Sequence, residues 1–348
     1  GAIEVSHNDA GETYTASCWD RTVEAATAQR FALGCASGRV QVWGARTGEL
    51  LGPIAEAFRA LARGADCAVA ALAIAHPDRG SVFVGCHAVP EILEVGIADG
   101  LTRSTLKAGK QGIVQLACAG GGLGGWLVSG GAATALKLWR LPKALAEVPT
   151  TAQRLSAPGS APTCLDVHCT GGRVLALSAS GTSQLDVFVR EDKAEAAEAK
   201  ATPMGAAFVL SCHERIVSAS FVRAEAGGKV IVAAAGPAVA ALWALRPEKA
   251  TGTAKTMAPL IIISSLDLGG RSVLSCRGGS DAGGGLILAL GPATQPTFAD
   301  ARRPAEKGGK PAVAHRAAGG KRKPVLEEGA APVQAAAAPA APTVLGPL

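Results

Sequence analysis

The feature that most restricts what this chain can fold into is a layout repeated about every fifty residues. Each copy runs through an apolar strand, a turn, a strand ending in small residues, a short turn, and a strand closing on a large side chain. The clearest copies are FALGCASGRVQVW at 31–43, WLVSGGAATALKLW at 126–139, VLALSASGTSQLDVF at 174–188 and VIVAAAGPAVAALW at 230–243. A weaker one, VFVGCHA at 82–88 followed by ILEV at 92–95, fills the gap after the first. The closing positions Trp43, Val95, Trp139, Phe188 and Trp243 follow one another at intervals of about 44 to 55 residues. A last copy begins at Ser272 and continues through LILAL at 286–290. No 3.6-residue stripe is sustained in these segments, which argues against a helical repeat. A generic β-sandwich does not account for several equally spaced copies.

This spacing resembles that of WD40 blades, four antiparallel strands each. The expectation is therefore an all-β, WD40-type β-propeller over residues 1–300, followed by a disordered tail over 301–348. One four-stranded blade cannot bury both of its faces, so blades must stack about an axis. Strands covered on both faces read as unbroken apolar runs, as 230–235 and 286–290 do. Small residues at Ser37, Ser129-Gly-Gly, Ser178-Ala-Ser and Ala233-Ala-Ala are placed to let neighbouring blades approach. The signature departs from the family's in two ways. No Gly-His dipeptide occurs, and the one Trp-Asp pair, Trp19-Asp20, falls on an early strand instead of a closing one, so the family's Asp–His–Ser–Trp network finds no place. Six units are legible where a full ring of seven is expected, which leaves the seventh blade absent, partial or supplied by residues 1–10.

Composition bears on what such a ring can do. Hydrophobic residues make up 48% of the chain and aromatics 4%, so the core must be built from Val, Leu, Ile and Ala. The nine cysteines are dispersed with no CxxC pair, and Cys164 and Cys169 have no matching histidine spacing. They read as reduced, buried small hydrophobes in a cytosolic or nuclear protein. No run of about 18 apolar residues suggests a membrane span. The chain opens Gly-Ala-Ile-Glu-Val with no signal pattern, the expected look of a fragment at that end. Charge is uneven, because residues 301–348 carry eight basic and three acidic side chains, most of the net +6. The basic residues Arg302, Arg303, Lys307, Lys310, Lys321, Arg322 and Lys323 stand among Pro and Gly, with no aromatics between them. That pattern suits sequence-independent attraction to phosphate or a nuclear address, or simply a solubilising tail.

Motifs for catalysis are weak. The glycine clusters at 120–125 and 278–285 lack GxxxxGK[ST] and read as inter-strand loops. The six histidines form no HExxH, and no GxSxG elbow occurs. His168 with Asp166 on the same strand face is the most tempting pair, though a hydrogen-bonded strand histidine suits it better. The stretch EDKAEAAEAK at 191–200 reads as a solvated inter-blade insertion, with a short helix or docking helix as its alternatives. No cofactor, metal, small-molecule substrate or enzymatic activity is expected.

The chain also resembles the nucleolar WD-repeat subunit of the UtpA (t-UTP) subcomplex of the small-subunit processome. The residues carrying that likeness are LGCASGRVQVW at 33–43 with TGEL at 47–50, LVSGG at 127–131 with LKLW at 136–139, LILALGPATQPTF at 286–298, and TVLGP at 343–347. It implies a structural role in early pre-ribosomal RNA assembly and transcription, in the nucleus and nucleolus. The implied partners are sister UtpA-type WD-repeat subunits and the 5′ external transcribed spacer of the pre-rRNA. The family also carries a C-terminal helical assembly domain, which no part of this sequence resembles. The alternative is a WD40 adaptor of another complex, such as a ubiquitin-ligase substrate receptor or a trafficking subunit.

Overall fold

The computed structural model describes residues 12–20, 29–58, 67–75, 79–121, 124–131, 136–142, 147–156, 161–192, 203–225, 228–250, 253–264, 267, 271–278, 286–293 and 343–344. Their strands form six sheets. Blade one contains β1 (Tyr14–Trp19), β2 (Arg30–Cys35), β3 (Arg39–Gly44) and β4 (Ala55–Glu56). Blade two contains β5 (Val69–Ile74), β6 (Ser81–Cys86), β7 (Glu91–Gly96) and β8 (Thr102–Lys107). Blade three contains β9 (Ile113–Gly121), β10 (Gly124–Gly131), β11 (Leu136–Leu141) and β12 (Thr150–Leu155). Blade four has β13 (Cys164–Thr170), β14 (Arg173–Ala179), β15 (Gln184–Glu191) and β16 (Phe208–Ser211), and takes β20 (Lys255–Met257) as a fifth, parallel strand. Blade five has β17 (Ser218–Glu225), β18 (Lys229–Ala235), β19 (Val239–Leu245) and β21 (Ile261–Ser264). Blade six has β22 (Arg271–Gly278), β23 (Leu286–Ala293) and β24 (Thr343–Val344).

The first strands β1, β5, β9, β13, β17 and β22 neighbour one another in chain order, so the blades array about a common axis as a β-propeller. The apolar cores lie between blades. Val40, Phe58, Val69 and Leu93 join blades one and two, and Phe83, Ile113, Leu127 and Trp139 join two and three. Trp126, Leu155, Val174 and Phe188 join three and four, Leu177, Phe208, Val232 and Trp243 join four and five, and Ala233, Val273 and Leu290 join five and six. The five closing residues Trp43, Val95, Trp139, Phe188 and Trp243 are all buried, each on the third strand of its blade.

Glycine sets the spacing at three of these seams. An added Cβ at Gly34 would lie 2.4 Å from Val69, at Gly85 2.5 Å from Ile113, and at Gly130 2.4 Å from Pro162. Beyond Gly130, the buried Ser129, Ser178 and Ala233 fill the small positions read from the sequence, whereas Ser37 is exposed in the β2–β3 turn and bonds Glu12. In blade one the close approach is at Gly34 on the second strand, while the turn meets the next blade through the Ser37 carbonyl, which accepts from Cys67 Sγ at 3.3 Å.

Both glycine clusters join antiparallel hairpins, β9 to β10 and β22 to β23. The tail needs one correction. Thr343 and Val344 pair antiparallel with Leu290 and Ala289, giving β23 a third-strand partner that no nearer described residue supplies. Residues 1–10, most of the 191–200 insertion and the remainder of the tail lie outside the described residues. No described helix is long and apolar enough to cross a membrane.

Candidate functional site

The residues singled out for chemistry are drawn into the seams between blades. Asp166 and His168 share a face of β13, as their spacing requires, but Asp166 is engaged elsewhere. Its carboxylate accepts from Ser220 Oγ at 3.1 Å, from the Phe221 amide at 2.9 Å and from the Val167 amide at 2.9 Å. It thereby ties blade four to blade five, while His168 lies against the Phe221 ring at 5.7 Å between centroids. The carboxylate is buried, and its bonds to Ser220 and Phe221 hold the seam between blades four and five.

Cys164 and Cys169 stand five residues apart on β13, hence on opposite faces and roughly 16 Å apart, too far to share a metal. Burial pushes both thiols up to about 12, with nearby Cys276 adding to the rise at Cys164 and Asp192 at Cys169. Among the described residues, no three His, Cys, Asp or Glu side chains converge as metal ligands would.

A second carboxylate anchors another seam. Arg79, buried at the end of blade two's first connection, donates from Nε to Glu94 Oε1 at 2.5 Å and from Nη2 to Oε2 at 2.9 Å. Its remaining donors reach into blade three, to the Pro142 carbonyl at 2.7 Å and the Glu147 carbonyl at 3.1 Å. Ser81 and Ser104 also donate to Glu94. Burial works to raise the Glu94 carboxyl, but the hydrogen bonds from Arg79, Ser104 and Ser81 and the guanidinium charge hold it below the ordinary range. Asp20 pairs with Arg30 in blade one, which gives the Trp19-Asp20 dipeptide a local structural role.

In blade three Trp139 Nε1 donates to Ser129 Oγ at 2.9 Å, both buried, which is the Ser–Trp part of the Asp–His–Ser–Trp network described for WD40 propellers. In blade one, Gln41 Oε1 takes the same part for Trp43 Nε1 at 3.2 Å. Sequence reading missed this because it sought the histidine and aspartate, while the Ser-x9-Trp spacing stood in plain view.

Two described surfaces stand out for binding. A cavity of about 280 Å³ lies between the first strands of blades one to four, lined by Thr15, Ser17, Trp19, Gln115, Cys118 and Asp166 among others. Trp19, ending β1, keeps 61% of its surface exposed and packs on Phe31 at 5.2 Å, which stacks on Trp43 at 6.4 Å. An exposed indole with a rigid aromatic backing is a ready contact for another molecule. The second surface is the outer strand β21, whose Ile261 and Ile262, with the preceding Leu260, are exposed. The basic candidates Arg302, Arg303, Lys307, Lys310, Lys321, Arg322 and Lys323 lie outside the described residues.

No family model matches the chain, and no curated protein matches its sequence. Solved structures do. A chain of the mitotic checkpoint complex superposes with a TM-score of 0.54 at 13% identity, covering 82% of this chain and 73% of that one. The structure of U3-55K gives 0.49 at 12% identity, covering 75% and 70%, and the WD40 repeats of RRP9 give 0.48 at 12%, covering 75% and 69%. At such identities the likeness is one of fold alone, and the first of the three carries it.

Proposed function

We propose that this WD40-type propeller is a non-catalytic scaffold of ribosome biogenesis, a small-subunit processome component that holds protein on its blades and RNA on its basic segment. The observation that carries the reading is the build of blade six. The two most distinctive family-like stretches, 286–298 and 343–347, are far apart in sequence, yet β23 and β24 drawn from them are hydrogen-bonded neighbours. In sequence, the basic run from Arg302 to Lys323 lies between these two strands. In this reading the partners are sister UtpA-type WD-repeat subunits and the 5′ external transcribed spacer, and the place of action is the nucleolus.

The test is binding of the full chain to spacer RNA across a salt series, beside a variant in which Arg302, Arg303, Lys307, Lys310, Lys321, Arg322 and Lys323 are all alanine. The expected result is weaker binding by the variant and a salt slope shallower by about 0.7 for each phosphate of single-stranded RNA that is no longer neutralised. Equal slopes for the two proteins defeat the RNA role. Co-purification of ubiquitin-ligase or coat subunits in place of nucleolar proteins assigns the chain to another complex.

A further inference from the structure

The outer corner between blades two and three carries positive charge that its own sheets do not neutralise. Lys137 on β11 and Arg154 on β12 are directly opposed cross-strand partners, so their side chains leave one face of the sheet about 5 Å apart. Like charges so placed repel and weaken the strand pair. Lys137 is also held in position. Its ammonium donates to the Lys107 carbonyl at 3.0 Å, across the seam in blade two, and lies 5.3 Å from the centre of the Trp139 ring. Burial, and after it the charge of Arg154, hold the Lys137 ammonium below its ordinary value of 10.5. Lys107 ends β8 and Lys110 follows in the connection to β9; both are exposed, as is Arg154. Glu91 stands opposite Lys107, but among the described residues no carboxylate forms an ion pair with Lys137 or Arg154. In blades one and two, by contrast, Arg30, Arg39, Arg79 and Arg103 each pair with a carboxylate.

The sequence beside the corner does not supply the missing charge. The stretch between β10 and β11 at 132–135 reads AATA and the one at 157–160 reads APGS, neither with a charged side chain. Residues 193–200, which precede the Met204 bridge to Leu155, hold two lysines and two glutamates and so add no net charge. A second copy brings the same net +6 and is repelled. No large apolar side chain is exposed among the described residues of 105–112, 129–137 and 151–156, so the corner lacks the anchor around which a protein interface is built. Thr105 and Gln111, both exposed, add neutral donors of the kind that bond phosphate. We infer that the Lys137–Arg154 pair, flanked by Lys107 and Lys110, binds the backbone phosphates of RNA. A phosphate set between the two opposed side chains accepts from both and cancels their repulsion, and neighbouring phosphates of the strand meet the flanking lysines. This deepens the RNA reading and rests on it for the choice of polymer, adding a contact on the folded blades to that of the basic segment.

The test titrates the full chain into a short fluorescein-labelled oligouridylate over a series of salt concentrations, with binding read by anisotropy. Arg154→Glu is the variant of choice, because it sets a carboxylate opposite Lys137 and so removes the anion site while favouring the strand pair. Its urea midpoint should lie at or above that of the native chain. Its salt slope should be shallower by about 1.4, the loss of two phosphates of single-stranded RNA. Arg46→Glu makes an equal change of charge in the exposed turn between β3 and β4, and should keep the native slope. The inference is overturned if Arg154→Glu leaves the slope unchanged, or if Arg46→Glu lowers it as much. It is overturned too if an oligoglutamate peptide displaces the probe as readily as unlabelled RNA does, which assigns the corner to an acidic protein. Repeating Arg154→Glu in the chain whose seven basic tail residues are alanine separates the two readings. The tail's role fails if those alanines change nothing while Arg154→Glu still acts, and the corner fails in the reverse case. No binding by the native chain ends both.

Discussion

Arg79 and Glu94 show what a single buried residue does for a seam. The pair is satisfied on every side, so removing one partner is far costlier than the net worth of the pair. Arg79→Ala should lower stability by about 3–5 kcal/mol in urea unfolding, because the Glu94 charge is left buried and alone. The carboxyl of Glu94 sits below its ordinary value of 4.5, so its contribution is complete above that pH and fades as acid drives protons onto it. Stability measured from pH 6 down to about pH 3 should fall in the native protein. In Glu94→Gln, already weaker at neutral pH because Arg79 loses its counter-charge, the further decline over the same range should be smaller. The thiols behave in the opposite sense. With Cys164 and Cys169 pushed up to about 12, and Cys118 also raised by burial and by nearby Cys18, Glu94 and Asp20, little thiolate exists at neutral pH. Iodoacetamide at pH 8 should leave all three unlabelled in the folded protein and modify them after denaturation, as read by mass spectrometry of peptides.

Among elements, the short segments on the outer edges of blades three and four, Met204 against Leu155 and β20 against β16, have the largest consequence for their size. A two- or three-residue segment cannot be a stable strand alone. It persists because Met257 packs into the seam of blades four and five while its backbone completes the edge of β16. Met257→Lys should release β20 without unfolding the propeller. The amides of 208–211 should then exchange faster than in the native chain, while those of β9 and β10 keep their rates. Equal acceleration everywhere would mean that β20 supports the whole ring instead of one edge. These segments were legible in principle, since two lone methionines each stand four residues before an apolar run ending in Ser. They escape a repeat search because such a search weighs the strands that recur in every blade, and this device occurs in only two.

Across the whole molecule, each blade touches chiefly its neighbours, so stability is close to a sum over seams. Blade six is the incomplete one, with three described strands whose third comes from the tail. Truncation after residue 300 removes β24, and the amides of β23 should then exchange faster while blades one to four are unchanged. Uniform protection after truncation would show that the tail strand adds nothing to the ring. The same truncation removes most of the net charge, so it should also flatten any salt dependence of RNA binding.

The sequence by itself determined the blade, because strand period, glycine turns and the spacing of Trp43, Trp139, Phe188 and Trp243 are local properties that survive without knowledge of neighbours. It also marked most of the small residues where blades meet. It could not assign partners across the seams. Asp166 was visible beside His168, but only folding brought Ser220 to it from more than fifty residues away, and Pro142 to Arg79. Hydrogen bonds between blades join residues distant in the chain and leave no periodic trace, so only the folded molecule shows which carboxylates hold the seams.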